Sequence, residues 1–329
     1  MKRIGKLFDK ICDIDNLELA DKKARKNKRN RCDILLHDKN RDLNILKLHE
    51  ALVNKTFTTS KYKEFKIFEG KARIIASLPY YPDRIVHHAL MNILEPIFVS
   101  TFISHTYSCI KGKGIHAAAN ALKLALKNVE GTTYCLKLDV KQFYPSINHD
   151  VLKDLLRRKF KDRDLLWLLD DIIGSADGIP IGNFTSQFFA NFYLTGFDHW
   201  LKETKRVKYY FRYADDMVIL SNDKQYLHRL LADIREYLDV ELKLTVKHNY
   251  QVFIVDVRGI DFLGYVFYHT HVMIRKSIKK NFARMLAIRP RQESIAPYLG
   301  WLKHCNGKHL IKKLLHHDNQ RILHINQID

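Results

Sequence analysis

No stretch of this 329-residue chain approaches the ~20 apolar residues that a bilayer-spanning helix needs. The start, Met1-Lys2-Arg3-Ile4-Gly5-Lys6, has no apolar run behind it, and charges recur at Lys10, Asp13 and Asp15, which excludes a secretory signal. The cysteines Cys12, Cys32, Cys109, Cys135 and Cys305 are odd in number and widely spaced, and no CxxC pair occurs. That excludes a disulfide framework and a zinc cluster, suits a reducing compartment, and makes a cytoplasmic location the expectation. There is no GxxxxGK[ST] phosphate loop, no internal repeat and no low-complexity linker. Acid is also short: 36 Asp and Glu stand against 56 Lys and Arg, a net charge of +20.

The 46% hydrophobic residues suit a folded chain, and the length suits about two domains, or one large body with an appendage. A +20 excess makes a field that attracts polyanions, with nucleic acid first among them. An anionic membrane surface is the rival partner, but no amphipathic anchor helix is evident. Residues 22–31 hold seven basic residues and no acid, a solvated face or loose arm, or a grip on phosphates.

Hydrophobic spacing predicts helices over 43–54, 84–94, 115–128, 151–173, 186–200 and 224–238. The predicted stripe of the 84–94 helix is Ile85, His88, Ala89 and Ile93. Extended runs at 56–68 and 72–78 around Glu69-Gly70-Lys71 predict a hairpin. Further strands are predicted at 134–140, 209–213, 217–220, 252–257 and 262–268. The segment from Val272 onward carries twelve basic and three acidic residues with helical periodicity, and predicts a small helical appendage.

Two places put carboxylates where a fold resists them. Asp139 ends the apolar run Tyr134-Cys135-Leu136-Lys137-Leu138, and Asp215-Asp216 sit between two apolar β-runs. A carboxylate beside a sheet core needs a cation or donors, and adjacent carboxylates need them more. A divalent metal is the natural compensation, and oxygen ligands select Mg²⁺ or Mn²⁺. Two such ions would stabilise attacking and leaving oxygens in phosphoryl transfer on a nucleic acid.

Tyr213-Ala214-Asp215-Asp216 resembles the YxDD box of reverse transcriptases, and Leu138–Ile147 resembles their first catalytic block. Gly178–Asn191 (GIPIGNFTSQFFAN) resembles the template- and nucleotide-binding block, and Ile260–Tyr265 the primer-grip hairpin. Tyr107–Ala118, Arg73 and Asp83-Arg84 look like blocks of the bacterial branch; the resemblance covers about residues 60–270 in the right order. Ile181 and Gln187 stand where group II intron and retroviral enzymes usually carry Gln and Pro. That resembles the reverse transcriptases of diversity-generating retroelements, which miscopy adenines of a template-repeat RNA into cDNA for a target gene.

The resemblance implies an α+β right-hand polymerase: a basic N-terminal segment (1–32), fingers (33–130), a palm with antiparallel sheet (131–268, with a finger-side insertion at about 150–180) and a basic helical thumb (269–329). It implies that Asp139, Asp215 and Asp216 form the catalytic triad, with the Val140 carbonyl assisting them at the two Mg²⁺ ions. Tyr144 would lie under the incoming sugar; Arg73, with Lys66 or Lys71, would hold the triphosphate. Ile181, Gly182, Ser186 and Gln187 would line the nucleotide site, and Phe262, Leu263 and Gly264 would position the primer. Lys247 and His248 are both candidates for the general acid. Template RNA, cDNA and dNTPs are the implied partners, with a small basic accessory ring protein possible and no membrane. On that layout no ribonuclease H or endonuclease domain is expected. The alternatives are a retron, abortive-infection or group II intron-like enzyme of ordinary fidelity, and a catalytically idle RNA-binding maturase-like protein.

Overall fold

Leu17, Ala20 and Ala24 recur at helical spacing along Ile14–Ala24, and all three are buried. This helix packs against Ile85–Val99, itself buried along Ile85, Val86, Ala89, Leu90, Met91 and Leu94. The computed structural model describes residues 3–68, 72–288 and 292–315. They divide into two units of interleaved segments, the first made of 1–110, 140–206 and 233–247, the second of 111–139, 207–232 and 248–329.

The first unit is mostly helical. Its two strands, β1 (Lys63–Phe68) and β2 (Ala72–Ser77), form an antiparallel ribbon in which Lys66 opposes Ile74 and Ile67 opposes Arg73. The predicted hairpin is present, although its tip at 69–71, including Lys71, lies outside the described residues. On Ile85–Val99 the buried histidine is His87, and His88 is only half-buried, because the helix is covered on more than one face. The single helix expected at 151–173 is two, His149–Lys159 and Arg163–Gly174. Asp162 makes the break: its carboxylate caps the second helix at Leu165 N and accepts from Leu7 N at 2.7 Å, which ties the N-terminal segment down. Not all of the basic block at 22–31 is a solvated arm. Arg25 is drawn inward by Asp21, with which it pairs at 2.7 Å.

The second unit is built on a four-stranded antiparallel sheet of β3 (Tyr134–Asp139), β4 (Tyr209–Tyr213), β5 (Asp216–Ser221) and β6 (Gln251–Ile254), in the order β4-β5-β3-β6. Met217, Val218, Ile219 and Leu220 are all buried, as a central strand covered on both faces requires. The helix Ile115–Leu126 packs on β4. The strand expected over 252–257 stops at Ile254, because Val255–Arg258 turns helical before Gly259 at φ 76°.

A second sheet follows, β7 (Ile260–Phe262), β8 (Tyr265–Phe267) and β9 (Val272–Ile274). The strand expected over 262–268 is shorter, because its first residues lie in the turn at Leu263 (φ 54°) and Gly264 (φ 80°) of a hairpin over the Ile260–Tyr265 block. Helices Lys276–Ile288, Gln292–Leu302 and Lys308–Leu315 then enclose Phe282, Leu286, Ile295 and Leu302. The tail is helical as expected, but only after β9. Among the described residues, no helix is long and apolar enough to cross a membrane.

Candidate active site

In the second unit, register brings the sequence-separated carboxylates together. Asp139, the last residue of β3, directly opposes Asp216, the first of β5, and Asp215 precedes it in the turn from β4. Like charges directly opposed across a ladder are destabilising. Burial pushes the Asp216 carboxyl up to about 6; the Lys137 ammonium opposes that rise and Asp139 adds to it. Oδ1 of Asp216 is buried, with Lys137 Nζ at 3.5 Å and no ordinary hydrogen bond.

The turn between β4 and β5 is held from beneath. Ala214 adopts φ 54°, a left-handed conformation that a side chain resists. Its carbonyl accepts a 3.0 Å hydrogen bond from Nη1 of Arg212, a side chain buried completely within the sheet. Sequence reasoning missed Arg212. The available signal was a lone cation inside the apolar strand Tyr209-Tyr210-Phe211-Arg212-Tyr213.

A cavity of about 430 Å³ opens beside the carboxylates, lined among others by Lys137, Asn249, Gln251, Arg258 and Asp261. The chemistry of this corner suits a hard divalent cation: two juxtaposed carboxylates, each with a buried Oδ1 that takes no hydrogen bond. Among the described residues, no three His, Cys, Asp or Glu side chains form a ready-made cage. Mg²⁺ habitually binds through one or two carboxylates and completes its shell with substrate phosphates and water.

The β7–β8 hairpin stands on the helical tail. A Cβ on Gly264 would lie 2.5 Å from the Trp301 ring, and Tyr265 Oη donates to the Trp301 carbonyl at 3.0 Å. Phe262 is fully buried, so it anchors the hairpin from below and offers no surface to a primer. Leu263 and Gly264 form the turn.

The first unit gathers the residues assigned to the nucleotide. Ala76 N donates to the Ile181 carbonyl at 2.9 Å, so β2 is fastened to the loop that begins at Gly178. Gly182 (φ 130°) is pressed so close that a Cβ would come 2.4 Å from the Ala76 carbonyl. Ser186 is buried and donates to the Pro180 carbonyl at 2.7 Å; Asn183 Nδ2 donates to Tyr62 Oη at 2.7 Å. Tyr144 is half-buried, and its carbonyl accepts from Ile179 N at 2.9 Å. Gln187 is exposed.

Arg73 and Lys66 leave opposite faces of the ribbon. Residues on one face of a ribbon alternate, and the register puts Arg73 on the face of Ile75, which adjoins Gly182, and Lys66 on the other. Of that pair, Arg73 alone shares a face with the loop's neighbour. Val140 bridges to Val246 in the same unit, close to Lys247, which is half-buried; His248 is exposed.

Residues 55–267, more than half of the chain, match the family described as reverse transcriptase (RNA-dependent DNA polymerase). The chain belongs to that family. Protein YkfC of Escherichia coli (strain K12) is 24% identical over 68% of this chain and 69% of its own length. Mitochondrial nuclear intron maturase 1 of Arabidopsis thaliana is 30% identical over 33% of this chain, and the match spans only 15% of that protein. The group II intron-encoded protein LtrA of Lactococcus lactis is 22% identical over 49% of this chain and 28% of its own length. Among solved structures, apo telomerase from Candida tropicalis truncated from its C-terminal domain superposes with a TM-score of 0.52 at 14% identity, over 67% of this chain and 55% of that one. Telomerase from Candida albicans with a fragment of telomeric RNA gives 0.50 at 12% identity, over 73% and 54%. The fold is therefore that of a right-hand polymerase, mixed helix and antiparallel sheet, and the chain spans about half the length of these solved relatives.

Proposed function

We propose that this chain copies RNA into DNA through Asp139, Asp215 and Asp216, and that it belongs to the diversity-generating branch, turning a template-repeat RNA into adenine-mutagenic cDNA for a target gene. The observation that carries the polymerase reading is the register of Asp139 against Asp216, on a chain of the reverse transcriptase family. The three carboxylates, with the Val140 carbonyl, would hold two Mg²⁺ ions, or Mn²⁺. When bound, these supply charge neutralisation to the entering 3′-oxygen and to the departing pyrophosphate. Arg73 offers a bidentate grip on the triphosphate, and Tyr144 would exclude a 2′-hydroxyl. Leu263 and Gly264 would seat the primer end, and Lys247 or His248 would protonate the leaving pyrophosphate. The exposed Lys276, Lys280 and Arg284, spaced four apart on one helix face, would follow the phosphates of the template–primer duplex.

The mutagenic reading rests on Ile181. An aliphatic side chain where relatives carry Gln removes a hydrogen-bonding constraint near the base pair, which weakens discrimination. A second reading, a group II intron-like enzyme of ordinary fidelity, is favoured by the intron maturases and LtrA among the relatives. A small basic accessory ring protein would accompany the first reading.

Primer extension on an RNA template containing all four bases, with dNTPs and Mg²⁺ and sequencing of the product, tests both. The expected outcome is metal-dependent cDNA with errors concentrated opposite adenine, lost in the Asp215→Ala, Asp216→Ala double variant and reduced at adenine by Ile181→Gln. Accurate cDNA would move the chain to the intron-like reading; RNA binding without cDNA would mean a missing accessory partner or an idle maturase-like protein, and adding a cognate partner decides between them.

A further inference from the structure

Lys137 lies two residues before Asp139 on β3, so both side chains leave the same face of the sheet. Its direct partner on β5 is Val218, and Asp216 is the diagonal neighbour, a separation that a lysine bridges. The ammonium takes two partners. Nζ stands 3.5 Å from Oδ1 of Asp216, the buried oxygen without an ordinary hydrogen bond, and it donates a hydrogen bond to the Asp261 carbonyl. Asp261 is in β7, the first strand of the hairpin, and its carboxylate is held by Arg275 Nε at 2.6 Å. The ammonium therefore spans from the carboxylate corner to the hairpin, in one unit and along one wall of the 430 Å³ cavity.

We propose that Lys137 is a tethered counter-ion: it compensates Asp216 before a divalent cation arrives, competes with that cation for the same carboxylate, and retains the Asp261 carbonyl when displaced. Two opposed carboxylates without any cation would push β3 and β5 apart at their ends. A lysine on a flexible four-carbon stem can yield to a divalent ion while a carbonyl already holds its proton donor. Lys137 is then a positioning residue, acting on the reaction through Asp216 and through the hairpin. This rests on the proposed cation-binding role of the carboxylates.

The test is Mn²⁺ binding to the full chain, read from the electron paramagnetic resonance signal of free Mn²⁺, together with thermal melts in EDTA and in excess Mn²⁺. Asp139→Asn, Asp216→Asn is the control for site-specific binding. Lys137→Met is expected to bind Mn²⁺ about three- to tenfold more tightly, because a repelling charge has gone. It is also expected to melt below wild type in EDTA and to recover the difference when Mn²⁺ is added. Lys137→Arg should restore wild-type behaviour in both. Unchanged or weaker Mn²⁺ affinity in Lys137→Met, with a melting loss equal in EDTA and Mn²⁺, would overturn the proposal and leave Lys137 a packing residue. Failure of the wild-type chain to bind Mn²⁺ at the carboxylates would overturn the cation-site reading itself, a result visible before any lysine variant is compared.

Discussion

Replacing Arg212 with methionine isolates what holds the Asp215-Asp216 turn in place. The guanidinium is completely buried and donates at 3.0 Å to the Ala214 carbonyl, while Ala214 sits at φ 54°. A hydrogen bond from a charged donor contributes about 1.5–3 kcal/mol. A left-handed alanine costs about 1–2 kcal/mol, which that bond offsets. Methionine keeps the apolar stem and removes the donors, so Arg212→Met is expected to lower unfolding stability by about 2–3 kcal/mol, measured by urea denaturation. The turn then relaxes and shifts Asp215. Misplacing a reacting group by a fraction of an ångström to one ångström costs about tenfold to a hundredfold, measured as the single-turnover rate of primer extension. Adding Ala214→Gly to Arg212→Met removes the strain at its source and should recover about 1 kcal/mol. A stability within about 0.5 kcal/mol of wild type together with an unchanged rate would refute the reasoning, since that is the range of an inert surface change.

Asp21 is buried and paired with Arg25 and Arg41, and Tyr80 donates to it. Burial raises its carboxyl, but the hydrogen bonds from Arg25, Tyr80 and Arg41 outweigh burial and hold it below the usual range. Its contribution is therefore complete above the unfolded value of about 3.9 and is lost as pH falls through the depressed folded value. Asp21→Asn should cost about 3–5 kcal/mol at pH 7 and flatten the acid limb of the stability curve; an unflattened limb would remove Asp21 from the linkage. Gly264→Ala places a Cβ 2.5 Å from Trp301 at φ 80°, and about 2–4 kcal/mol of stability should go, with primer affinity; an unchanged melting temperature would show that the hairpin stands without that contact. Reversing Lys280 and Arg284 to Glu should lessen the salt dependence of template–primer binding by about two phosphate contacts, and an unchanged slope would take that helix face out of the footprint.

The misfit of acids at the ends of apolar runs made Asp139, Asp215 and Asp216 legible as candidates, because burying a carboxylate is costly enough that a sequence seldom does it idly. The length of apolar runs also made most helices legible. What failed were boundaries and faces. Residues 151–173 read as one helix because Phe160 continues the apolar pattern, while the break depends on Asp162 finding Leu7 N from the far N-terminus. Lys66 and Lys71 read as equal alternatives beside Arg73 because sequence carries no register across a turn; the register puts Lys66 on the face opposite Arg73. Phe262 read on a level with Leu263 and Gly264 because its motif says nothing of how deeply each residue of the hairpin is set.

By itself the sequence determined the charge of the molecule, the chemistry of its acids and the order of its elements, since these follow from residue type and local periodicity. Only the tertiary structure decided that Asp139 faces Asp216, that the buried Arg212 donates to the Ala214 carbonyl, and that Lys137 reaches both Asp216 and Asp261. The first and the last of those join segments far apart in the chain, and the second depends on the burial of Arg212 in the sheet. Pairing of that kind is fixed by strand register and packing, which no local pattern encodes.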